Sequence, residues 1–251
     1  MPQPTARIIH GDCLDVLPEI ASDSSDLAIC DLPYGITKNS WDCFVDLKKL
    51  WFQLQRVVCG KGPYIFTCQQ PFANTLINSA ADKFRYDLIW AKNRYAGHAN
   101  AKRAPLRGHE IILVFGDTPI YRPQKIDSGQ FARVIFAGKK PRPNQNTGVT
   151  TKTHILSRYK NPTSVLPFDR DDVRDGTGHP TQKPLNLLKW LIKTYTMPGQ
   201  TVLDPTAGSF STCIAALLSG RNSIGIEKDL QIYTNARERV LAVQRSLQPT
   251  P

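Results

Sequence analysis

The stretch Val202-Leu203-Asp204-Pro205-Thr206-Ala207-Gly208-Ser209-Phe210-Ser211-Thr212 decides the fold. It runs from a short apolar strand ending in a carboxylate, through a tight turn, into a small-residue helix that reaches Leu218 and closes at Gly220. Strand, turn and helix in that order form the repeating unit of an open α/β sheet, whose ligands bind outside the carboxyl ends of the strands. Gly208 allows a ligand to approach the backbone closely, and the helix start favours an electron-rich group. The next strand, Asn222-Ser223-Ile224-Gly225-Ile226, ends at Glu227, roughly twenty residues beyond the turn, where a carboxylate can accept ribose hydroxyls. Neither G-x-x-x-x-G-K-[ST] nor a full G-x-G-x-x-G is present, so a triphosphate loop and a dinucleotide fingerprint are unsupported. The segment points to a nucleoside cofactor without identifying it.

Outward from this unit the same rhythm repeats. Arg7-Ile8-Ile9-His10 reads as a strand ending at Gly11-Asp12, and Leu27-Ala28-Ile29-Cys30 as one ending at Asp31. Further strands are Tyr64–Thr67, Tyr86–Trp90 and Ile111–Phe115. A helix from about Asp46 carries Leu47, Leu50, Trp51, Leu54 and Val57 on one stripe, and another spans Phe72 to Ile77. A helix from Pro184 aligns Leu188, Leu191, Ile192 and Tyr195, and Asp229 caps a last one containing Tyr233, Ala236 and Val240. This alternation predicts a mainly parallel sheet with helices on both faces. Four strands then end in an acid: Asp12, Asp31, Asp204 and Glu227. One such acid is an ordinary cap. Four along one edge make a site that reads polar hydrogens.

Between about Asp117 and Gly178 the rhythm stops in favour of Pro, Gly, Asn, Thr and basic residues, too long a run for a plain loop. It reads as an insertion. Lys and Arg number 32 against 21 Asp and Glu, a net charge of +11, which suits a polyanionic partner such as nucleic acid. Apolar residues make up 41%, enough for a core. No apolar run approaches the roughly 18 residues of a membrane span. The opening Met1-Pro2-Gln3-Pro4-Thr5 lacks the features of a signal peptide, so a cytoplasmic location is expected. The six cysteines form no C-x-x-C, and His179 has no second His or Cys at ligand spacing, so neither a disulfide scaffold nor a metal site is expected.

Three further stretches carry chemistry: Asp31-Leu32-Pro33-Tyr34-Gly35, His179-Pro180-Thr181-Gln182-Lys183-Pro184 and Gly11-Asp12-Cys13-Leu14-Asp15-Val16-Leu17. Together with the Asp204 loop they resemble the amino-methyltransferases of DNA. These enzymes move a methyl group from S-adenosylmethionine to the exocyclic nitrogen of adenine or cytosine. The family's D-P-P-Y stands here as Asp31-Leu32-Pro33-Tyr34, and its D-P-F-x-G-S-G as Asp204-Pro205-Thr206-Ala207-Gly208-Ser209-Phe210. Catalytic motif first and cofactor loop last is the order of the β class. That order implies a circularly permuted, Rossmann-like α/β sheet with an inserted target-recognition region. The chain would divide into a catalytic part over 1–116, a target-recognition insertion over 117–178 and a cofactor-binding part over 179–247. Leu32 replaces a Pro whose role is carried by its backbone carbonyl. Phe210 replaces a Gly, where a ring would either crowd the cofactor or pack against it.

The resemblance implies Asp31 and the Leu32 carbonyl as acceptors for the two amine N–H bonds, in the turn completed by Pro33 and Tyr34. Tyr34 would stack on a flipped-out base, and Trp41 would close over it. Asp12 is assigned to the cofactor's adenine edge and Glu227 to its ribose. Asp204, Pro205, Thr206 and Gly208 would border its methionine part, with Lys183 beside it. DNA contact is expected from Lys92, Arg94, Lys102, Arg103 and Arg107 in the loop before the Ile111 strand, and from the insertion, including Lys139, Lys140 and Arg142. The expected partners are duplex DNA, a second copy of the chain and a cognate restriction enzyme. Asp31 at the head of its motif favours adenine N6. Cytosine N4 is the alternative, and Phe210 keeps open a catalytically impaired DNA-binding relative.

Overall fold

Apolar side chains that alternate between two faces build a sheet buried on both sides. The computed structural model describes residues 3–33, 45–135, 154–171 and 182–247, with the backbone alone for 128–135 and 154–157. The strands are β1 (Ala6–His10), β2 (Leu27–Cys30), β3 (Tyr64–Cys68), β4 (Phe84–Ala96), β5 (Arg107–Phe115), β6 (Ile126–Ile135), β7 (His154–Lys160), β8 (Val165–Pro167), β9 (Thr201–Asp204) and β10 (Asn222–Glu227). The α-helices are α1 (Cys13–Val16), α2 (Leu47–Val57), α3 (Phe72–Ser79), α4 (Leu185–Tyr195), α5 (Ser211–Leu217) and α6 (Leu230–Ser246). Among these residues no helix is long and apolar enough to cross a membrane.

Eight strands form one sheet in the order β1-β10-β9-β2-β3-β5-β4-β8. The first five run parallel, β5 is antiparallel to both β3 and β4, and β8 runs parallel to β4. On one face Ala28, Cys30, Tyr64, Phe66, Leu113 and Phe115 meet Leu17, Leu50, Trp51, Leu54 and Leu76. On the other, Leu27, Ile29, Ile65, Ile112 and Val114 meet Leu187, Leu188, Leu191 and Ile192. The period of two sorts neighbouring residues of one strand into opposite cores.

The helices are held by features visible in sequence. The Asp46 side chain caps α2 by accepting from the Lys49 amide, and α2 buries Leu50, Trp51, Leu54 and Val57. The Trp51 indole donates to Ser79 Oγ at 2.8 Å. Every residue of α5 is buried, which only a helix of small and apolar residues permits. Asp229 caps α6 through the Ile232 amide.

The chain forms two compact units, Met1–Arg122 with Ser164–Pro251, and Pro123–Thr163. The second contains the β6–β7 hairpin, where Arg158 pairs with Asp127 at 2.6 Å. Residues 164–167, within the segment 117–178, thus belong to the first unit, where β8 extends the main sheet beside β4. The basic stretch before Ile111 is mostly strand and not loop: β4 continues to Ala96 and β5 begins at Arg107. Lys92, Arg94 and Arg107 therefore stand on paired strands, and only Lys102 and Arg103 lie in the connection. Residues 93–105 are exposed, so this end of the hairpin shows no apolar alternation for a sequence reading to detect.

Candidate active site

The strand order places the four acids on neighbouring parallel strands, since β1, β10, β9 and β2 lie side by side. Asp12 and Asp31 follow β1 and β2, while Asp204 and Glu227 close β9 and β10. All four mark one carboxyl edge, where such sheets bind ligands.

Each acid is held differently. Asp12 caps α1 through the Leu14 amide and accepts from Lys228 Nζ at 2.8 Å, and the Lys228 hydrogen bond lowers its pKa. Glu227 accepts from two backbone amides, Gly208 on Oε2 at 2.8 Å and Asp229 on Oε1 at 2.7 Å. Each oxygen keeps a second lone pair, which matches a ribose diol. Asp204 is 3% exposed and accepts from the Thr206 amide at 3.1 Å. Burial pushes its pKa up to about 7. Hydrogen bonds from Thr212 and Thr206 oppose the rise, and the charges of Asp31 and Glu227 add to it.

Asp31 is the centre of a polar cluster. Thr67 Oγ1 donates to its Oδ1 at 2.6 Å and Lys183 Nζ to its Oδ2 at 2.6 Å. Thr206 Oγ1 donates to the Asp31 carbonyl at 3.1 Å, tying the turn after β9 to the end of β2. Lys183 Nζ also lies 3.4 Å from Glu110 Oε2. Glu110 is buried and accepts from Lys92 on Oε1. Burial alone would lower the pKa of Lys183, yet Asp31 and Glu110 outweigh it and raise it. Burial likewise opposes ionisation of Glu110, and Lys183 and Lys92 overcome it to lower its pKa.

The turn after β9 fits a bound nucleoside. Gly208 has a φ of 52°, and among the described residues a Cβ added there would meet nothing within 4 Å, so the backbone is open to them beside Glu227. Pro205 is buried and Thr206 half-buried in the same turn. Phe210 also has a positive φ, of 56°, a conformation that suits the glycine of the motif this turn resembles. Its ring is fully buried, edge-on to Tyr233 with centroids 5.9 Å apart, in a core with Cys213, Ile214 and Val240. Bare Gly225 admits it, because a Cβ there would lie 2.7 Å from Phe210 Cδ1. The ring turns into the core and fills none of the open face at Gly208. Leu32 is 3% exposed and joins the core on the Trp51 side of the sheet, a place its apolar side chain can take without disturbing the turn.

The structure thus gathers Asp31, Asp204, Thr206, Gly208 and Glu227 by direct contact or shared turn, with Asp12 on the next strand. Lys183, expected beside the cofactor, has its ammonium on Asp31 and Glu110. Pro33 is half-buried after Leu32. Tyr34, Trp41, Lys139, Lys140, Arg142 and His179 lie outside the described residues. Thr67 and Glu110 were missed in the sequence. Glu110 stands at the start of β5, but that strand is antiparallel, so its start falls at the same edge as the ends of the others.

A DNA methylase family model matches residues 25–238. The DNA adenine methyltransferase YhdJ of Escherichia coli (strain K12) is 31% identical over 239 residues, spanning 88% of this chain and 77% of that one. The crystal structure of an M1.HpyAVI–SAM complex superposes with a TM-score of 0.64 at 21% identity, covering 94% of this chain and 99% of the other. The cytosine-N4-specific PvuII DNA methyltransferase gives the same TM-score at 13% identity, over 98% and 93%. With the family's motifs brought to one sheet edge and its model matched over most of the length, this chain belongs to the N6/N4 family of DNA methylases.

Proposed function

We propose that this methylase acts on adenine N6, with Asp31 and the Leu32 carbonyl as the two acceptors for the target amine. An exocyclic amine is a poor nucleophile because its lone pair is delocalised into the ring. Two acceptors on its N–H bonds restore density to nitrogen and fix its direction, so the work is positioning and electrostatics. S-adenosylmethionine, when bound, supplies an electrophilic methyl group on a sulfonium. Asp204, Thr206, Gly208 and Glu227 form its seat, with Asp12 at the adenine end. The observation that carries the reading is the Thr206–Asp31 hydrogen bond, which fixes the cofactor turn against the amine acceptor.

Adenine is favoured by Asp at the head of the motif and by the adenine enzyme that is 31% identical. Cytosine N4 is the second reading, because a cytosine-N4 enzyme has the same fold. Arg94, Lys102, Arg103 and Arg107, all exposed on the β4–β5 projection, are the proposed phosphate contacts. Tyr34 and Trp41 are proposed for the flipped base, and Lys139, Lys140 and Arg142 for the target sequence. The test is transfer of labelled methyl to unmethylated DNA, followed by nucleoside mass spectrometry, with Asp31→Ala in parallel. N6-methyladenine from the wild type alone supports the reading. N4-methylcytosine refutes the choice of base, and full activity in the variant refutes the role of Asp31.

A further inference from the structure

Four other chain segments converge on the one that carries Asp31, and they bring charges of both signs. The carboxylates are Asp31, after β2, and Glu110, on β5; the ammonium groups are Lys92, on β4, and Lys183, before α4. Gln69, after β3, reaches Glu110 with its amide nitrogen at 3.4 Å and accepts from Arg107 with its oxygen. A buried carboxylate is tolerated only when paired. Lys183 and Lys92 together meet that requirement for Glu110, and Lys183 reaches Asp31 as well. Glu110 Oε2 lies 3.4 Å from Lys183 Nζ but is not aligned as a hydrogen bond, and no other described group satisfies it. Among the described residues Lys183 thus makes one aligned hydrogen bond, to Asp31, with a second buried carboxylate oxygen 3.4 Å away.

We propose that Glu110 is a positioning residue for methyl transfer. It draws the Lys183 ammonium partly away from Asp31, so that Asp31 can accept the target amine strongly. The inference rests on the reading of Asp31 as amine acceptor. An ammonium bound to Asp31 alone competes with the amine for the carboxylate and weakens it as an acceptor. With Glu110 sharing that charge, the Asp31 carboxylate is not saturated by it. Besides Lys183, Glu110 and Lys92, the titratable groups around Asp31 among the described residues include Asp204 on β9, Cys30 on β2 and Cys68 on β3. Both thiols are neutral, because burial raises their pKa values. Asp204 adds negative charge only above about pH 7. Removing Glu110 therefore leaves the Lys183 ammonium with Asp31 as its one carboxylate partner among the described residues.

The experiment measures single-turnover methyl transfer across pH for the wild type, Glu110→Gln, Glu110→Asp, Lys183→Met and Asp31→Asn. Glu110→Gln is expected to lower the rate about tenfold and move the acidic limb of the profile down by about one pH unit. Apparent KM values for DNA and S-adenosylmethionine should stay within about twofold. Lys183→Met should move the same limb upward, because Asp31 loses its nearest positive charge. Glu110→Asp keeps the charge, so its limb should stay in place while its shorter reach lowers the rate. A merely structural role would not shift the limb in opposite directions in two variants. A folded Glu110→Gln protein with wild-type rate and limb overturns the proposal. If that variant does not fold, a wild-type rate in Glu110→Asp overturns it instead. Full activity in Asp31→Asn would refute the amine-acceptor reading itself. An inactive Asp31→Asn beside a wild-type Glu110→Gln would refute only the role of Glu110.

Discussion

Replacing Asp204 with asparagine should stabilise the fold, and increasingly so as pH rises. In the unfolded chain this carboxyl loses its proton near pH 4. In the folded protein burial holds the proton until about pH 7. Between those values the folded state binds more protons, so stability falls with rising pH by about 1.4 kcal/mol per unit. From pH 5 to pH 8 the accumulated loss is roughly 2.5 kcal/mol, levelling off once both states are ionised. The asparagine side chain has the shape of the protonated acid and keeps an oxygen for the Thr206 amide, yet it has no proton to lose. Urea denaturation of wild type and Asp204→Asn at pH 5 and pH 8 measures the effect. The variant's advantage should grow by about 2–3 kcal/mol between the two conditions. An advantage that does not change with pH would refute the claim that Asp204 is ionised against a buried environment.

Phe210→Ala should destabilise the fold by about 3–5 kcal/mol in urea denaturation, because it empties a fully buried site between Gly225 and Tyr233. Since the ring lies away from the open face at Gly208, the affinity of the folded fraction for S-adenosylmethionine should change by less than about threefold in calorimetry. Glu227→Gln places an amide group against one of two backbone N–H donors. It should weaken cofactor binding by about tenfold or more, with no comparable loss of DNA binding. DNA affinity should fall steeply between about 50 and 200 mM salt by counterion release, roughly a thousandfold if about six phosphates are contacted. An affinity flat across that range would remove the electrostatic account of the β4–β5 projection.

Legibility in the sequence followed strand direction. Four of the five neighbouring parallel strands, β1, β2, β9 and β10, announce their functional end by an acid after an apolar run, which is why Asp12, Asp31, Asp204 and Glu227 could be read together. β5 gives no such sign. Its reversal relative to β3 is a tertiary choice, and it brings Glu110 to the active edge from the front of the strand. Lys183 could be placed in its motif, but its partners Asp31 and Glu110 lie far earlier in the chain, and no local spacing identifies them. The β4–β5 projection was hidden because polar side chains dominate where a hairpin leaves the body of the sheet. Phe210 looked obstructive because bulk is visible in sequence and the direction of a side chain is not. Gly225, on the neighbouring strand, makes the room for it.

The four acids of the edge also predict how cofactor binding depends on protons. Their charges are managed unequally: Lys228 offsets Asp12, Lys183 offsets Asp31, backbone amides hold Glu227, and Asp204 alone relies on keeping its proton below about pH 7. A cationic sulfonium beside Asp204 favours its ionised form, and an opposite charge within about 4–6 Å lowers a carboxyl pKa by about 1–3 units. A shift from about 7 to about 5 makes binding release about 0.8 proton at pH 6 but only about 0.1 at pH 8. S-adenosylhomocysteine, the demethylated product, has no sulfonium charge and should release far less at pH 6. Calorimetry in two buffers of different ionisation enthalpy reads the proton count directly. Asp204→Asn is the control, since it has no proton to give. Equal release for the charged and the neutral ligand, or undiminished release in the variant, would show that Asp204 does not sense the methyl donor's charge. A larger release for the charged ligand would give the edge a means of discriminating substrate from product: the donor gains a carboxylate as it binds, and the product meets a neutral acid.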